Sequence, residues 1–249
     1  SLMGATAQGV LWGIMALGVY ITYKLLKISD LTVDGSFALG GCVCAVLILG
    51  GMSPALATLI AIIAGLAAGA VTGILHTVFN IPAILSGILT QISLWSINLR
   101  IMSGKSNLPL LNSETIISFF VGRSGSSTIE SASGFAKALG MTQSTASLVI
   151  GIVIAVVIVA ILYWFFGTEI GSALRATGNN EAMIRALGVN TNRTKLLALM
   201  ISNALVSFSG ALVAQSQKYA DVGMGTGAIV VALASIVIGE VFFKYARNF

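Results

Sequence analysis

The stretch from Gly35 to Leu99 contains no Asp, Glu, Lys or Arg. A membrane-spanning helix needs about 20 predominantly apolar residues, so this stretch can hold roughly three spans. Across the whole chain only 8% of the residues are charged, whereas soluble domains contain about 25%. Because so few charges cannot solvate a globular surface, the sequence predicts an all-α polytopic membrane protein.

Helix breakers and uncharged length divide the chain into about seven predicted transmembrane helices within one domain, residues 1–249. A first group of spans occupies residues 4–102, one span occupies 144–167, and further spans occupy 196–245. The predicted spans are Gly4–Tyr23, Ser36–Leu49, Ala55–Phe79, Ala83–Met102, Ser144–Phe166, Leu196–Gln217 and Val222–Gly239.

The net charge of +5 comes from basic residues scattered at span ends, as the positive-inside bias places them, rather than from a basic face that would bind nucleic acid. If the spans alternate, residues 168–195 lie in the cytoplasm and residues 103–143 lie outside. The outer segment is expected to carry surface helices around Ser113–Val121 and Thr128–Leu139. Six basic residues support this orientation, namely Lys24, Lys27, Arg175, Arg185, Arg193 and Lys195, and four oppose it, namely Arg100, Lys105, Arg123 and Lys137.

The single histidine and the two cysteines do not suggest a metal site. His76 has no second candidate ligand nearby in the sequence, so we interpret it as a span-end or packing residue. Cys42 and Cys44 are two positions apart, and on a helix such residues point to nearly opposite faces. They suit neither a shared metal ion nor a disulfide with each other, and we interpret both as small packing residues.

Two short segments at span ends resemble each other. YKLLKISDL (23–31) closes the first span and AQSQKYADV (214–222) closes the sixth. Each has Lys-x-x-Asp followed by an apolar residue and then a Gly-containing run that opens a short span. In the predicted orientation one segment lies inside and the other outside. Inverted repeats of this kind are common in transporters, although chance similarity is the alternative for so short a pattern.

The middle of each predicted span is free of the ionisable groups that an ion-coupled carrier would be expected to hold there. Uncharged polar residues do occur within the spans, and they either line a path for a polar solute or hydrogen-bond between helices. The energy for transport would then come from a partner protein. These residues are Gln91, Ser93, Ser96 and Asn98 in the fourth span and Asn203, Ser207 and Ser209 in the sixth, with Gln91, Ser93, Asn98 and Asn203 as the path candidates.

The polar interruption RATGNNEAMIRALGVN (175–190) has the pattern of a very short helix. Asn180 suits the N-cap, Glu181 suits the positive end of the helix dipole, and Gly188 suits the C′ position. Isolated helices shorter than about 12–15 residues are marginal in water, so this one must bury its apolar side. It either lies in the lipid headgroup layer or inserts into a groove on another protein. Its apolar arc contains Ala182, Met183, Ile184, Ala186 and Leu187, and its polar side contains Glu181 and Arg185.

The same segment with the span after it, RATGNNEAMIRALGVNTNRTKLLALMISNALVSFSGALVAQ (175–215), resembles the cytoplasmic coupling loop and following span of ABC importer permeases of the branched-chain amino acid and ribose type. Three other stretches resemble a subgroup associated with amino-acid binding proteins, including ones for tryptophan or tyrosine. They are DLTVDGSFALGG (30–41), ILSGILTQISLWSINLRIMSGKSNLPLL (84–111) and YADVGMGTGAIVVALASIVIGE (219–240).

The resemblance covers nearly the whole chain and implies the fold of a type II ABC importer with inverted repeats, continued in the family by further C-terminal spans. It implies a bacterial cell-membrane permease that forms the path for a small polar solute, an amino acid or a related compound. It also makes Asn179–Val189 the coupling segment, whose ATPase-coupling residues are Asn180, Glu181, Ala182, Met183, Arg185, Ala186, Leu187 and Gly188.

The partners implied by the resemblance are a cytoplasmic ABC ATPase, an extracytoplasmic solute-binding protein and a second permease copy, expected as a homodimer. The chain itself is then a transport subunit and not an enzyme. It binds no cofactor, because ATP and Mg²⁺ belong to the ATPase. An ion-coupled secondary transporter is the alternative function. A membrane-embedded enzyme ranks third, because the sequence offers no catalytic set.

Overall fold

The computed structural model describes residues 2–110, 115–116 and 143–246, with side chains for 2–110, 115–116 and 148–242. In this part of the chain, six helices are long and apolar enough to cross a membrane, which confirms the all-α polytopic class. The elements are α1 (Leu2–Tyr20, continued by a π-helical turn, Ile21–Leu25), α2 (Thr32–Leu49), α3 (Pro54–Thr77), α4 (Ala83–Ile101), β1 (Asn107–Pro109), α5 (Gln143–Gly167), α6 (Glu169–Asn179), α7 (Glu181–Ala186), α8 (Thr191–Gln217), β2 (Tyr219–Asp221) and α9 (Ala228–Ala246).

Three predicted span starts differ from the structure by four residues or more, and one of them is that of α8, which begins at Thr191 rather than at Leu196. α2 begins at Thr32 rather than at Ser36, so Asp34 lies in its first turn. α9 begins at Ala228 rather than at Val222, because β2 and a turn precede it. The prediction excluded charged residues from the spans, but free backbone N–H groups and the helix dipole stabilise a carboxylate at a helix N-terminus.

The seventh predicted span corresponds to α9. The apolar part of this helix for which side chains are described, Ala228–Phe242, is shorter than the six candidate spans. The predicted surface helices in the outer polar segment lie outside the described residues, apart from Thr115 and Ile116.

α8 is the central helix of the bundle and packs against α1, α2 and α3. Serine hydroxyls along α8 donate hydrogen bonds to backbone carbonyls of these neighbours. Such bonds help spans to associate where lipid provides no hydrophobic drive. Hydrogen bonding between helices is therefore what the structure shows for the serines of this span: Ser202 Oγ to Gly18 O at 2.7 Å, Ser207 Oγ to Ala61 O at 2.6 Å and Ser209 Oγ to Leu11 O at 2.7 Å.

Glycines allow α2 and α8 to approach until their backbones touch. A Cβ atom added at Gly40 in α2 would overlap the carbonyl oxygen of Ser207, and one added at Gly210 in α8 would overlap the carbonyl oxygen of Phe37. Backbone atoms cannot move aside as a flexible side chain can. The crossing of these two helices therefore requires the smallest residue on both sides.

The spans alternate between two ends of the bundle. At the end that we call the coupling end, α6 and α7 lie beside the start of α8, and Asn192 Nδ2 donates to Thr77 O at the end of α3 (3.4 Å). At the opposite end, the hairpin end, β1 pairs with β2 in antiparallel fashion. The six basic residues that support the predicted orientation all lie at the coupling end, whereas Arg100 and Lys105 lie at the hairpin end.

The two similar segments detected in the sequence have the same local conformation. Lys27 and Lys218, at equivalent positions, both have a left-handed φ of 58°. Three residues after each Lys, Asp30 Oδ1 and Asp221 Oδ1 accept hydrogen bonds from the backbone N–H two positions further on, at 2.9 and 2.6 Å. The helices that follow start from opposite ends, α2 from the coupling end and α9 from the hairpin end. This geometry is that of an inverted repeat and favours it over chance similarity.

His76 and the cysteines lie at packing positions. His76 Nδ1 is 2.9 Å from Ile81 O, just beyond α3. Cys42 and Cys44 are buried and form no disulfide, and Gln215 Nε2 donates to Cys44 Sγ at 3.2 Å. Among the described residues, no three His, Cys, Asp or Glu side chains are grouped as metal ligands would be.

Candidate coupling site and solute path

The short helix α7 is capped at both ends by its own sequence. The Asn180 side chain accepts a hydrogen bond from Met183 N at 3.1 Å, which satisfies one of the free N–H groups at the start of the helix. Leu187 ends the helix, and Gly188 follows with a φ of 88°, which favours glycine. The caps hold a two-turn segment that would be marginal by itself.

α7 buries only part of its apolar surface in this chain. Ile184 points into the protein and is 7% exposed, whereas Met183 and Leu187 are 55% and 70% exposed. The last two are four positions apart and therefore lie on the same face of the helix. Beside this face Glu181, Ala182, Arg185 and Ala186 line a shallow, open depression. The segment thus presents an apolar ridge and a depression outward from the coupling end.

Glu181 ties α7 to the start of the central helix α8. Its Oε2 accepts a hydrogen bond from Lys195 Nζ at 2.6 Å, and its Oε1 accepts from Arg185 Nη2 at 3.0 Å and from Thr191 Oγ1 at 3.1 Å. The hydrogen bond from Lys195 is the largest of the effects that lower the pKa of Glu181, and burial partly opposes it. The side chains of Lys195 and Glu181 are 18% and 36% exposed, so water only partly screens the pair.

α6 attaches the same region to α1 and α8. Gly178 packs against the backbone of Leu25 so closely that a Cβ atom would overlap its carbonyl oxygen. Thr177 Oγ1 lies 3.3 Å from Thr194 Oγ1 in the first turn of α8. α6 therefore joins the region beside α7 to the helices at the centre of the bundle.

The structure separates the four path candidates into three environments. Gln91 and Asn98 line one small cavity between α2, α4 and the turn before α9. Asn203 is fully buried elsewhere, where its Nδ2 donates to Asp30 Oδ2 at 2.8 Å and its Oδ1 accepts from Ser36 Oγ at 2.5 Å.

Ser93 lies exposed on α4, and its hydroxyl donates to Leu89 O within the same helix at 2.8 Å. Ser96 is exposed on α4 as well. Thus only Gln91 and Asn98 of the four candidates are brought together at a cavity.

The acidic and aromatic residues of this cavity were not among the candidates predicted from the sequence. Asp34, Trp95 and Thr226 line it together with Gln91 and Asn98. One signal was available for Asp34. A carboxylate close to an uncharged span is costly and by default marks a functional position.

The family comparison agrees with this architecture. Residues 1–245 match the family described as "Branched-chain amino acid transport system / permease component". The chain is 40% identical to a tyrosine transport system permease protein of Clostridioides difficile (strain R20291), over 98% of this chain and 74% of that protein. It is 33% identical to the uncharacterized protein RP368 of Rickettsia prowazekii (strain Madrid E), over 100% of this chain and 80% of that protein.

A more distant relative is the ribose import permease protein RbsC of Escherichia coli (strain K12), at 26% identity over 91% of this chain and 64% of that protein. No solved structure matches the chain significantly. The matched relatives that have a named function are permease proteins, which supports neither of the two other functions considered, secondary transport and catalysis.

Permeases of ABC importers work with an ATPase and a substrate-binding protein, and they do not hydrolyse ATP themselves. The apolar helices and the bacterial relatives indicate a multi-pass protein of the inner membrane. The chain belongs to the branched-chain amino acid transport system permease family and is the membrane-embedded permease subunit of an ABC importer for small solutes.

Proposed function

We propose that the importer carries an amino acid and that tyrosine is the first solute to test. The observation that carries this proposal is the 40% identity to a tyrosine transport system permease over 98% of the chain. The cavity between α2 and α4 has room for one small polar group of such a solute, and the described residues that line it include polar groups and an indole but no basic side chain. The more distant ribose permease is less similar over a smaller part of the chain.

Uptake by the reconstituted importer tests this proposal. The full-length permease is placed in proteoliposomes with its ATPase and its binding protein, with ATP on the ATPase side. We expect labelled tyrosine to accumulate and labelled ribose to stay outside. A liposome preparation with an ATPase that binds but does not hydrolyse ATP serves as the control. Uptake of ribose without uptake of tyrosine would contradict the amino-acid assignment.

We propose further that the coupling end faces the cytoplasm and that α7 docks into the ATPase. The positive-inside bias supports the orientation, because six basic residues lie at this end. The outward apolar face of α7 supports the docking. Labelling of an Asn190→Cys variant by an impermeant thiol reagent tests the orientation, since Cys42 and Cys44 are buried. Labelling of this variant by the impermeant reagent in intact cells would contradict the cytoplasmic orientation of the coupling end.

A second copy of the permease is proposed as the partner in the membrane, in a homodimer with α4 near the contact. Ser93 and Ser96 are exposed on α4 beside Trp95, which is 51% exposed. Hydroxyl groups are better placed against protein or water than against lipid tails. Disulfide trapping of a Ser96→Cys variant tests the contact, and a permanently monomeric product would argue against it.

Glu181 is predicted to transmit the movement of α7 rather than to hold the ATPase. Because its carboxylate bonds to Lys195 and Thr191 of α8, the Glu181→Gln variant should still co-elute with the ATPase. Solute-stimulated ATP hydrolysis should fall by about twofold to tenfold, a modest range because partly exposed ion pairs are weak. The measurement is ATPase activity with and without the loaded binding protein.

The charge-swapped variant Glu181→Lys/Lys195→Glu is the matched control, because it restores an ion pair between the same two positions. It should recover part of the stimulation that Glu181→Gln loses.

The pKa of Glu181 is lowered in the folded protein. The pair therefore contributes stability above the ordinary carboxyl range and loses it only as the pH falls through the lowered value. Full stimulation in the Glu181→Gln variant would show that α7 needs no link to α8.

A further inference from the structure

Asn98 has a buried side-chain amide without a hydrogen-bond partner. The residue is 0% exposed, and within the part of the chain that the structure describes, its Oδ1 and Nδ2 are the only buried side-chain nitrogen or oxygen atoms without a partner. Most buried polar side-chain atoms in proteins are paired, and an unpaired one is costly. An unpaired amide buried within a membrane helix indicates that a ligand or a water molecule binds to it.

Asn98 is one of the residues that line a small cavity built from distant parts of the chain. Asp34 of α2, Gln91 and Trp95 of α4, and Thr226 before α9 line it with Asn98, beside the small residues Gly35 and Ala38 and the side chain of Val222. Its free space is about 10 Å³, close to what a single water-sized group needs. The cavity can therefore take one small polar group, but not a whole amino acid.

The side chains around the cavity favour a cation that donates hydrogen bonds. Asp34 Oδ2 accepts from Gly227 N at 3.0 Å and Asp34 Oδ1 accepts from Ile229 N at 2.9 Å. These bonds use two of the roughly four acceptor positions of a carboxylate. The amide oxygens of Gln91 and Asn98 are further acceptors. Among the described residues, no Lys, Arg or His lines the cavity, so an anionic group would meet the Asp34 carboxylate without a compensating cation from this part of the chain.

A primary ammonium group has the size, the charge and the three donors that this cavity requires. The indole of Trp95 adds a surface that attracts cations. We propose that the cavity is a subsite for one primary ammonium group of the transported solute, held by Asp34, Gln91 and Asn98. This assignment rests on the proposed amino-acid import, because ribose has no amino group to place there.

Binding of methylammonium to the full-length permease tests the subsite without the binding protein. Replacing Trp12 and Trp164 by Phe leaves Trp95 as the only tryptophan of residues 1–249. Methylammonium chloride should change its fluorescence in a saturable way at constant ionic strength. Tetramethylammonium chloride, which has no hydrogen-bond donor, and sodium acetate, which supplies an anion, should not. A fluorescence response to all three salts would overturn the proposal. A response to none of them would also overturn it and would indicate that the cavity holds only water.

The Asn98→Leu variant separates binding from folding. Leucine has nearly the same shape as Asn, and the Asn98 amide makes no hydrogen bond, so the melting temperature should stay equal or rise. The dissociation constant of methylammonium should increase at least about tenfold, since bonds to charged groups exceed the 1.4 kcal/mol that corresponds to that factor. Unchanged methylammonium binding, or a large loss of stability, would show that Asn98 is a structural residue.

The two proposals fail in different ways. If methylammonium binds but the reconstituted importer does not accumulate tyrosine, the ammonium subsite stands and the solute is a different amine. If tyrosine accumulates but methylammonium does not bind, the amino-acid proposal stands and the subsite is wrong.

Discussion

Replacing Met183 and Leu187 together by Asp is expected to separate the permease from its ATPase. These side chains are 55% and 70% exposed on one face of α7. Burying a Met or Leu side chain contributes about 1.5–3 kcal/mol, so loss of both removes about 3 kcal/mol or more. Since 1.4 kcal/mol corresponds to a factor of ten, the dissociation constant should rise at least about a hundredfold. Co-elution of purified permease and ATPase on size exclusion measures this loss.

The matched control exchanges the same two side chains as Met183→Leu/Leu187→Met. It keeps their apolar character and nearly their volume, so binding and transport should stay close to those of the unmodified protein. Ile184 is unsuitable as a test position, because it is buried within the permease and its replacement would disturb the fold of α7. If the Met183→Asp/Leu187→Asp variant co-elutes with the ATPase and transports normally, α7 lies against lipid headgroups and the docking proposal is wrong.

Replacing Gly40 by Ala is expected to unfold the permease or to separate its central helices. The added methyl group would overlap the carbonyl oxygen of Ser207 in α8. Overpacking commonly costs about 1–3 kcal/mol and sometimes more. The upper end applies here, because the opposing atom belongs to a helix backbone that cannot rotate away. Thermal unfolding of the purified permease in detergent, followed by fluorescence-detected size exclusion, should show a strong decrease in melting temperature.

Gly13→Ala is the matched control for this substitution. Gly13 also lies within a transmembrane helix, but no atom of the described residues approaches the position that its Cβ would occupy. Alanine favours helix by about 0.8–1.0 kcal/mol over glycine in model peptides, so this variant should be as stable as the unmodified protein or slightly more stable. Equal melting temperatures for the two alanine variants would show that α2 and α8 do not need their close contact.

The sequence by itself determined the class of protein and the position of the short capped helix α7. Both follow from local properties of the chain. A span is recognisable because lipid demands about 20 consecutive apolar residues. The short helix α7 is recognisable because Asn180 and Gly188 supply its caps from adjacent positions. The pair of Lys-x-x-Asp segments was visible for the same reason, and the structure gives their Lys residues the same φ of 58°.

Which faces of α7 are exposed and which are buried was only partly predictable from the sequence. The sequence placed Met183 and Leu187 on one face, because residues four apart on a helix are neighbours. It did not show that Ile184 is the residue turned into the protein, or that Glu181 reaches Lys195 in the next helix. Those facts depend on how α7 packs against α8.

Only the tertiary structure decided which polar residues lie together at a cavity. Gln91, Ser93, Asn98 and Asn203 have similar chemistry and similar sequence surroundings, and all four were equal candidates for the path. Asn203 proved to be bonded to Asp30, and Ser93 proved to bond within its own helix. Contacts between residues far apart in the chain depend on helix crossing and rotation, which glycine contacts determine and which a one-dimensional pattern of apolar residues does not specify.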